Sequence, residues 1–236
     1  MRKLFLPLVL VLSALSTNAN ADFLGLYVGG GSWDHDASGT FGTLGDPAID
    51  VESDLNYSSE KDTYVYAAFE HFVPLVPNIR IEAASMGHSG VATGLTFNGV
   101  GVTGNSEISL DTTDTIAYYR LLDNWVNFDL GLNIRKLDAD FIVATESVSV
   151  SETIPMLYVA AQFDLPFTGF SVGGDINKIS YSGSSYQDVR IRALYEMGVI
   201  GFEVGLRSTT MELDDVDGVN ADFEFEGMMI GAFLHF

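Results

Sequence analysis

The sequence predicts an all-β protein: a closed antiparallel transmembrane β-barrel of ten strands, with eight as the alternative. Three observations lead there. Apolar and polar residues alternate with period 2 almost everywhere after residue 21, and no stretch of useful length keeps a helical period. The strand arginines all share the polar parity, while the opposite parity is nearly free of charge. The last stretch, Asp222 to Phe236, stops on an apolar strand and an aromatic residue, where soluble chains usually fray into water.

The chain opens with Arg2 and Lys3, an apolar run from Leu4 to Leu15, and Ala19-Asn20-Ala21. A charged start, a short apolar core and an A-x-A site mark an export signal. Residues 1–21 are therefore expected to be cleaved, leaving 22–236 as one barrel domain. The run is too short for a membrane anchor, which takes about 20 apolar residues. Losing Arg2 and Lys3 takes the formal charge from −21 to −23. Such acidity excludes nucleic acid as a partner, because phosphates need clustered Lys and Arg. With no cysteine there is neither a disulfide framework nor a thiolate site.

Ten segments alternate. In the first, Leu24, Leu26 and Val28 oppose Gly25, Tyr27, Gly29 and Gly31; then Val65, Ala67 and Phe69 oppose Tyr64, Tyr66 and Glu70. Ile81 and Ala83 oppose Arg80, Glu82 and His88, and Ala117, Tyr119 and Leu121 oppose Arg120. The cleanest is Val126–Arg135, with Phe128, Leu130, Leu132 and Ile134 against Asp129, Asn133 and Arg135. Leu157, Val159 and Phe163 oppose Tyr158 and Asp164; Val172 and Ile176 oppose Asp175 and Asn177. Ile191 and Ala193 oppose Arg190 and Arg192, and Phe202, Val204 and Leu206 oppose Glu203 and Arg207. The tenth is the C-terminal segment, where Met228, Ile230, Ala232, Leu234 and Phe236 share a face.

Short turns are expected at Val73–Asn78, Asp123–Trp125, Leu165–Gly169 and Met197–Gly201. Longer polar or acidic loops are expected near 37–58, 88–107, 144–151, 182–187 and 214–221, the layout of short periplasmic turns and long extracellular loops. Phase slips near Leu137 and Gly227 read as bulges or strand tops. The alternative of eight strands follows if 57–72 and 149–156 are loops.

A soluble barrel also alternates, and the choice of cation decides between the two. Arg80, Arg120, Arg135, Arg190, Arg192 and Arg207 lie on the polar parity with Glu70, Glu82, Asp129, Asp164, Asp175, Glu196 and Glu203, whereas a water-facing surface favours lysine. Arginine suits enclosed, geometrically fixed pairing with carboxylates. The uncharged face suits lipid, where a mid-membrane charge costs about 2–4 kcal/mol. Interfacial girdles are expected at Phe23, Trp125, Phe167, Phe170 and Phe236 below, and at Trp33, Tyr181, Tyr186, Phe223 and Phe225 above.

The end of the chain, Met229 to Phe236, resembles the C-terminal signal of bacterial outer-membrane barrels. Gly231 lies five residues before the end, and Leu234 and Phe236 are apolar; Met229 departs from the pattern, which usually has a polar residue there. With Leu26–Trp33, reading L-Y-V-G-G-G-S-W, the whole mature chain resembles a small outer-membrane β-barrel family of Gram-negative bacteria. That family is marked by an N-terminal Gly-Gly motif and a C-terminal Phe. The resemblance implies a location in the cell outer membrane, among its lipid and lipopolysaccharide. It brings no assigned activity.

No residue set has a spacing that catalysis, a cofactor or a metal requires. The expectation is a barrel without enzymatic activity, its lumen plugged by Arg/carboxylate pairs, with a structural or surface-interaction role. A narrow channel for small solutes is the alternative, and an omptin-like protease a more distant one. For the protease, Asp34, Asp36, His88, Asp111 and Asp114 would form a rim acid–base cluster. Divalent cations are possible partners at the acidic loops, around Asp46, Asp50, Glu52 and Asp54 and at Asp214-Asp215-Val216-Asp217-Gly218, which lacks the full calcium-loop spacing. The barrel-assembly machinery is expected to recognise Phe236. Deleting Phe236 is therefore expected to reduce the heat-modifiable, assembled fraction on gels, and assembly equal to that of the full chain would refute the terminal signal.

Overall fold

The computed structural model describes residues 24–236. The expected export segment 1–21, with Asp22 and Phe23, lies outside the described residues.

Ten long strands run up and down in chain order: β1 (Leu24–Thr43), β3 (Glu60–His71), β4 (Asn78–Phe97), β5 (Val100–Asp123), β6 (Val126–Val143), β7 (Glu146–Asp164), β8 (Phe170–Tyr181), β9 (Ser184–Met197), β10 (Ile200–Val216) and β11 (Val219–His235). A two-residue strand β2 (Ile49–Asp50) pairs with Thr40 and Phe41 beside them. Every neighbour is antiparallel, and β11 returns to β1 in register from Tyr27↔His235 to Thr43↔Val219. Leu26 and Phe236 exchange both backbone hydrogen bonds at 3.0 Å, so the last residue completes the closing seam. Segments 60–71 and 146–164 are strands, which excludes the eight-stranded alternative.

The strands are longer than a bilayer requires. A spanning strand takes about 9–11 residues, whereas β5 has 24 and β6 has 18. The side chains show where the membrane band ends. Along β6 the outward residues are Phe128, Leu130, Leu132 and Ile134, followed by Lys136, Asp138 and Asp140. The inward residues are Asp129, Asn133 and Arg135, followed by Leu137, Ala139, Phe141 and Val143. Both faces change character at the same level. Strand β11 repeats this in reverse: Glu224 and Glu226 give way outward to Met228 and Ile230, while Phe223 and Phe225 lie buried inside. Below the change the barrel is polar inside and apolar outside, as lipid demands. Above it the barrel is apolar inside and charged outside, as water demands.

This exchange of faces corrects several sequence expectations. Leu137 and Gly227 are neither bulges nor strand tops, since register runs unbroken through both and β6 and β11 extend several residues beyond them. The register shifts lie at Thr93/Leu95, Arg120/Leu122 and Leu213/Val216 instead. Of the upper aromatics, Tyr181 faces out, while Trp33, Tyr186, Phe223 and Phe225 are buried in the interior. The lower girdle at Trp125, Phe167 and Phe170 is exposed as expected.

Four of the five expected long loops are strand pairs that continue above the membrane and close in two residues. Asn98-Gly99, Ser182-Gly183 and Asp217-Gly218 have positive φ at both positions, the requirement of a type I′ hairpin turn. Strands β6 and β7 close over Ala144-Thr145. The fifth connection, 44–59, is a true excursion. Ile49, Val51 and Leu55 are buried against the upper core, so this segment caps the barrel's outer mouth.

Leu132 and Ile142 both face outward on β6, one within the apolar band and one above it. Leu132→Arg is expected to cost about 2–4 kcal/mol, against less than about 0.5 kcal/mol for Ile142→Arg as an ordinary surface change. Denaturant unfolding of each variant in lipid vesicles measures the difference, and equal losses would misplace the band.

Candidate functional site

Within the membrane band, the lumen is crossed by a connected set of ion pairs. Arg135 binds Asp114 through two nitrogens, Nε to Oδ1 at 2.7 Å and Nη2 to Oδ2 at 2.6 Å, and reaches Asp188 at 2.8 Å. Arg207 grips the same Asp188 through Nε at 3.0 Å and Nη2 at 2.6 Å. Below them Arg190 joins Glu82 to Asp175, with Nε donating to Asp175 Oδ2 at 2.9 Å. Glu82 also accepts from Arg80 at 2.8 Å, and Arg192 links Asp175 at 2.9 Å to Glu203 at 3.0 Å. Tyr64 completes this tier by donating to Glu203 at 2.7 Å.

Five guanidinium groups thus meet five carboxylates: Arg80, Arg135, Arg190, Arg192 and Arg207 against Glu82, Asp114, Asp175, Asp188 and Glu203. Arg135, Arg190 and Arg207 are no more than 2% exposed. An enclosed charge is costly unless it is paired and hydrogen-bonded, and the alternation of strand parity supplies both partners from facing walls. Glu82 on β4 and Arg190 on β9 stand five strands apart in a ring of ten, so their contact crosses the full lumen. Three arginines also lie over aromatic rings: Arg80 on Tyr66 at 4.1 Å, Arg135 on Tyr186 at 4.8 Å and Arg207 on Trp33 at 4.7 Å.

Such bulky groups need thin walls opposite. A Cβ on Gly29 would lie 2.7 Å from both the Tyr66 ring and the Phe233 side chain, while one on Gly31 would collide with the Ile230 carbonyl oxygen of β11 and lie 2.7 Å from the Tyr64 hydroxyl. Inward glycines on β1 therefore make room for the tyrosines of β3 and for the close approach of the β11 backbone. Beneath the network a polar cavity of about 530 Å³ lies among the short turns. Arg120 enters it, paired with Glu70 at 2.6 Å and Asp129 at 3.0 Å, while Tyr118 donates to Glu70 at 2.7 Å.

The expected rim cluster does not assemble. Asp34, Asp36 and Asp111 point outward and are exposed, Asp34 facing Lys61 at 3.5 Å. Asp114 points inward but is held by Arg135. His88 has different partners, which sequence order concealed. Its Nε2 lies 2.9 Å from His35 Nδ1, its Nδ1 lies 2.9 Å from the Ser58 carbonyl, and His35 Nε2 lies 3.2 Å from Asp62 Oδ2. The pair stands above the membrane band, at the level of outward Asp34 and Asp36, packed on Trp33 and Phe225. Burial and the facing His88 push His35 down to about 4, and burial lowers His88 too.

In the cap, carboxylates serve the backbone. Asp50 accepts from Ser53 N–H at 2.8 Å and Glu52 N–H at 3.0 Å, and the Ser53 bond heads the causes that lower its pKa. Asp46 accepts from the Thr43 hydroxyl and from Gly99 N–H at 2.7 Å, and is likewise lowered, first by the Thr43 bond. Asp217 forms a hairpin tip with Gly218. No group of three or more metal-ligating side chains occurs among the described residues.

The sequence matches no protein-family model and no curated protein. Solved structures do match. The outer membrane protease OmpT of Escherichia coli is 8% identical with a TM-score of 0.55, covering 94% of this chain and 100% of that one. The fold is that of an outer-membrane β-barrel. The attachment invasion locus protein Ail of Yersinia pestis is 12% identical over 90% of this chain and 98% of its own, with a TM-score of 0.36. The translocator domain of the autotransporter NalP of Neisseria meningitidis is 11% identical over 98% and 94%, with a TM-score of 0.43. At these identities the likeness is one of fold.

Removing one partner of a buried pair strands the other. Arg190→Met leaves Glu82 and Asp175 short of their shared cation and is expected to cost about 3–5 kcal/mol, read as a lower urea midpoint in detergent. An unchanged midpoint would mean that the pairs do not support the barrel.

Proposed function

We propose that this chain is a plugged, non-catalytic barrel of the Gram-negative outer membrane that presents a rigid, acidic rim to the outside. The observation that carries this reading is the Glu82–Arg190 contact across the whole lumen, within a charge-balanced network. Above it, Phe41, Phe141, Phe223 and Phe225 pack into an apolar layer under the cap. Two barriers in series oppose passage: ions would have to cross an apolar layer, and apolar solutes a layer of ion pairs.

The role then lies on the outer surface, where strand extensions carry Asp36, Glu107, Asp140, Glu212, Asp222 and Glu224 into water. Lipopolysaccharide surrounds such a rim, with divalent cations bridging its phosphates to the acidic side chains. Export through a cleaved segment 1–21 and recognition of Phe236 by the assembly machinery complete the reading. Catalysis at the rim is disfavoured because Asp34, Asp36 and Asp111 face away from His88 and Asp114.

Planar-bilayer recording tests the plug. The wild type is expected to show no stable large conductance, and Arg190→Ala with Arg192→Ala to open one only when Phe41→Ala and Phe223→Ala thin the apolar layer as well. A stable large conductance in the wild type would overturn the proposal.

A further inference from the structure

The contacts of His35 and His88 do not balance for neutral rings. The chain runs from the Ser58 carbonyl to His88 Nδ1, from His88 Nε2 to His35 Nδ1, and from His35 Nε2 to Asp62 Oδ2, at 2.9, 2.9 and 3.2 Å. Both ends accept only, a carbonyl at one and a carboxylate at the other. Three contacts therefore need three hydrogens on ring nitrogens, and two neutral imidazoles carry two. One added proton, shared across the pair, makes every contact a hydrogen bond, with Asp62 as its counter-charge.

The same residues join the cap to the wall. Pairing of β3 with β4 stops at Tyr64↔Ala84, although β4 continues to Phe97. Beyond that point the joint is made piecemeal. Gly87 N–H donates to the Asp62 carboxylate at 2.7 Å, His88 meets Ser58, Val91 N–H donates to the Leu55 carbonyl at 2.9 Å, and the Tyr57 hydroxyl meets Ser106 at 2.7 Å. We propose that the His35–His88 pair binds one shared proton, and that this proton latches the cap segment 44–59, with the start of β3, onto β4.

The surroundings set where the latch works. Asp62 and Glu60 on β3 and Asp36 on β1 favour the charge, while Arg207 on β10 opposes it. Trp33, Tyr57 and Phe225 surround the rings with apolar surface. With both histidines lowered, the pair is neutral at pH 7 and one hydrogen short. It takes up its first proton below the ordinary histidine range, and the second, which sets two positive rings face to face, only near 4. The cap is thus tightest in mild acid, and loosens both towards neutral pH and below about 4.

Imidazole nitrogen NMR and amide exchange on the full chain, refolded in detergent, test this together. One proton should enter the pair in a step distinct from the second. At that step, Gly87 and Val91 amides should gain about tenfold protection or more relative to β10–β11 amides, the loss expected when a hydrogen bond to a charged group is unmade. Asp62→Asn should move the step about one pH unit or more towards acid by removing the counter-charge. Rings that stay neutral down to about pH 4, or protection that is flat across the step, would overturn the proposal. The wild-type titration decides it without any variant.

Discussion

The barrel depends on keeping the buried charges of its lumen paired. Guanidinium and carboxylate groups are tolerated there because each finds its partners in fixed positions, and a ten-stranded ring brings opposite walls within one side chain's reach. The choice of arginine follows. Arg135 and Arg207 each hold a carboxylate by two nitrogens, a geometry a lysine ammonium cannot provide. The lysines are segregated accordingly: Lys61, Lys136 and Lys178 all face outward above the apolar band. The inward glycines of β1 follow as well, because the tyrosines serving the network and the β11 backbone occupy the space a side chain would take.

Parity carried most of the fold. Period-2 alternation placed all six strand arginines on the inward side, and the outward placement of Met228, Ile230, Ala232 and Leu234 was legible from the C-terminal segment. What parity could not show was the level at which inside and outside exchange chemistry. An apolar residue on the inward parity, such as Leu137 or Phe225, resembles a slip in phase or a lipid-facing girdle when lipid is assumed to flank the whole strand. Once water replaces lipid outside, the same alternation persists with its meaning reversed. Segments rich in Ser, Thr and Gly, such as 88–107, then read as loops because neither face looks like membrane.

The histidine pair was hidden for a different reason. Parity pointed His88 inward, and the same rule separates outward Asp34, Asp36 and Asp111 from inward Asp114, so the rim cluster mixed two faces of one wall. The true partners, His35, Ser58 and Asp62, lie on β1, β3 and the cap, and their meeting depends on strand register. Register follows from the turns, and the 44–59 excursion obeys no hairpin rule. Its apolar anchors, Ile49, Val51 and Leu55, keep no single period, two apart and then four, and burial alone reveals them.

The two interior layers solve one problem from opposite sides. A lumen filled only by ion pairs would face water at both ends, and water would compete for every charge near the mouth. An apolar layer outside the network removes that competitor, because Phe41, Phe141 and Phe223 offer water no hydrogen bonds. The layers must still meet. At the junction Arg207 lies over Trp33, whose ring packs on His35, which reaches His88 and the cap. A guanidinium over an aromatic face, then imidazoles that can be neutral or charged, form a graded boundary between charge and hydrocarbon. The titratable pair thus sits where interior polarity changes, and there a single proton weighs most on whether the cap stays seated.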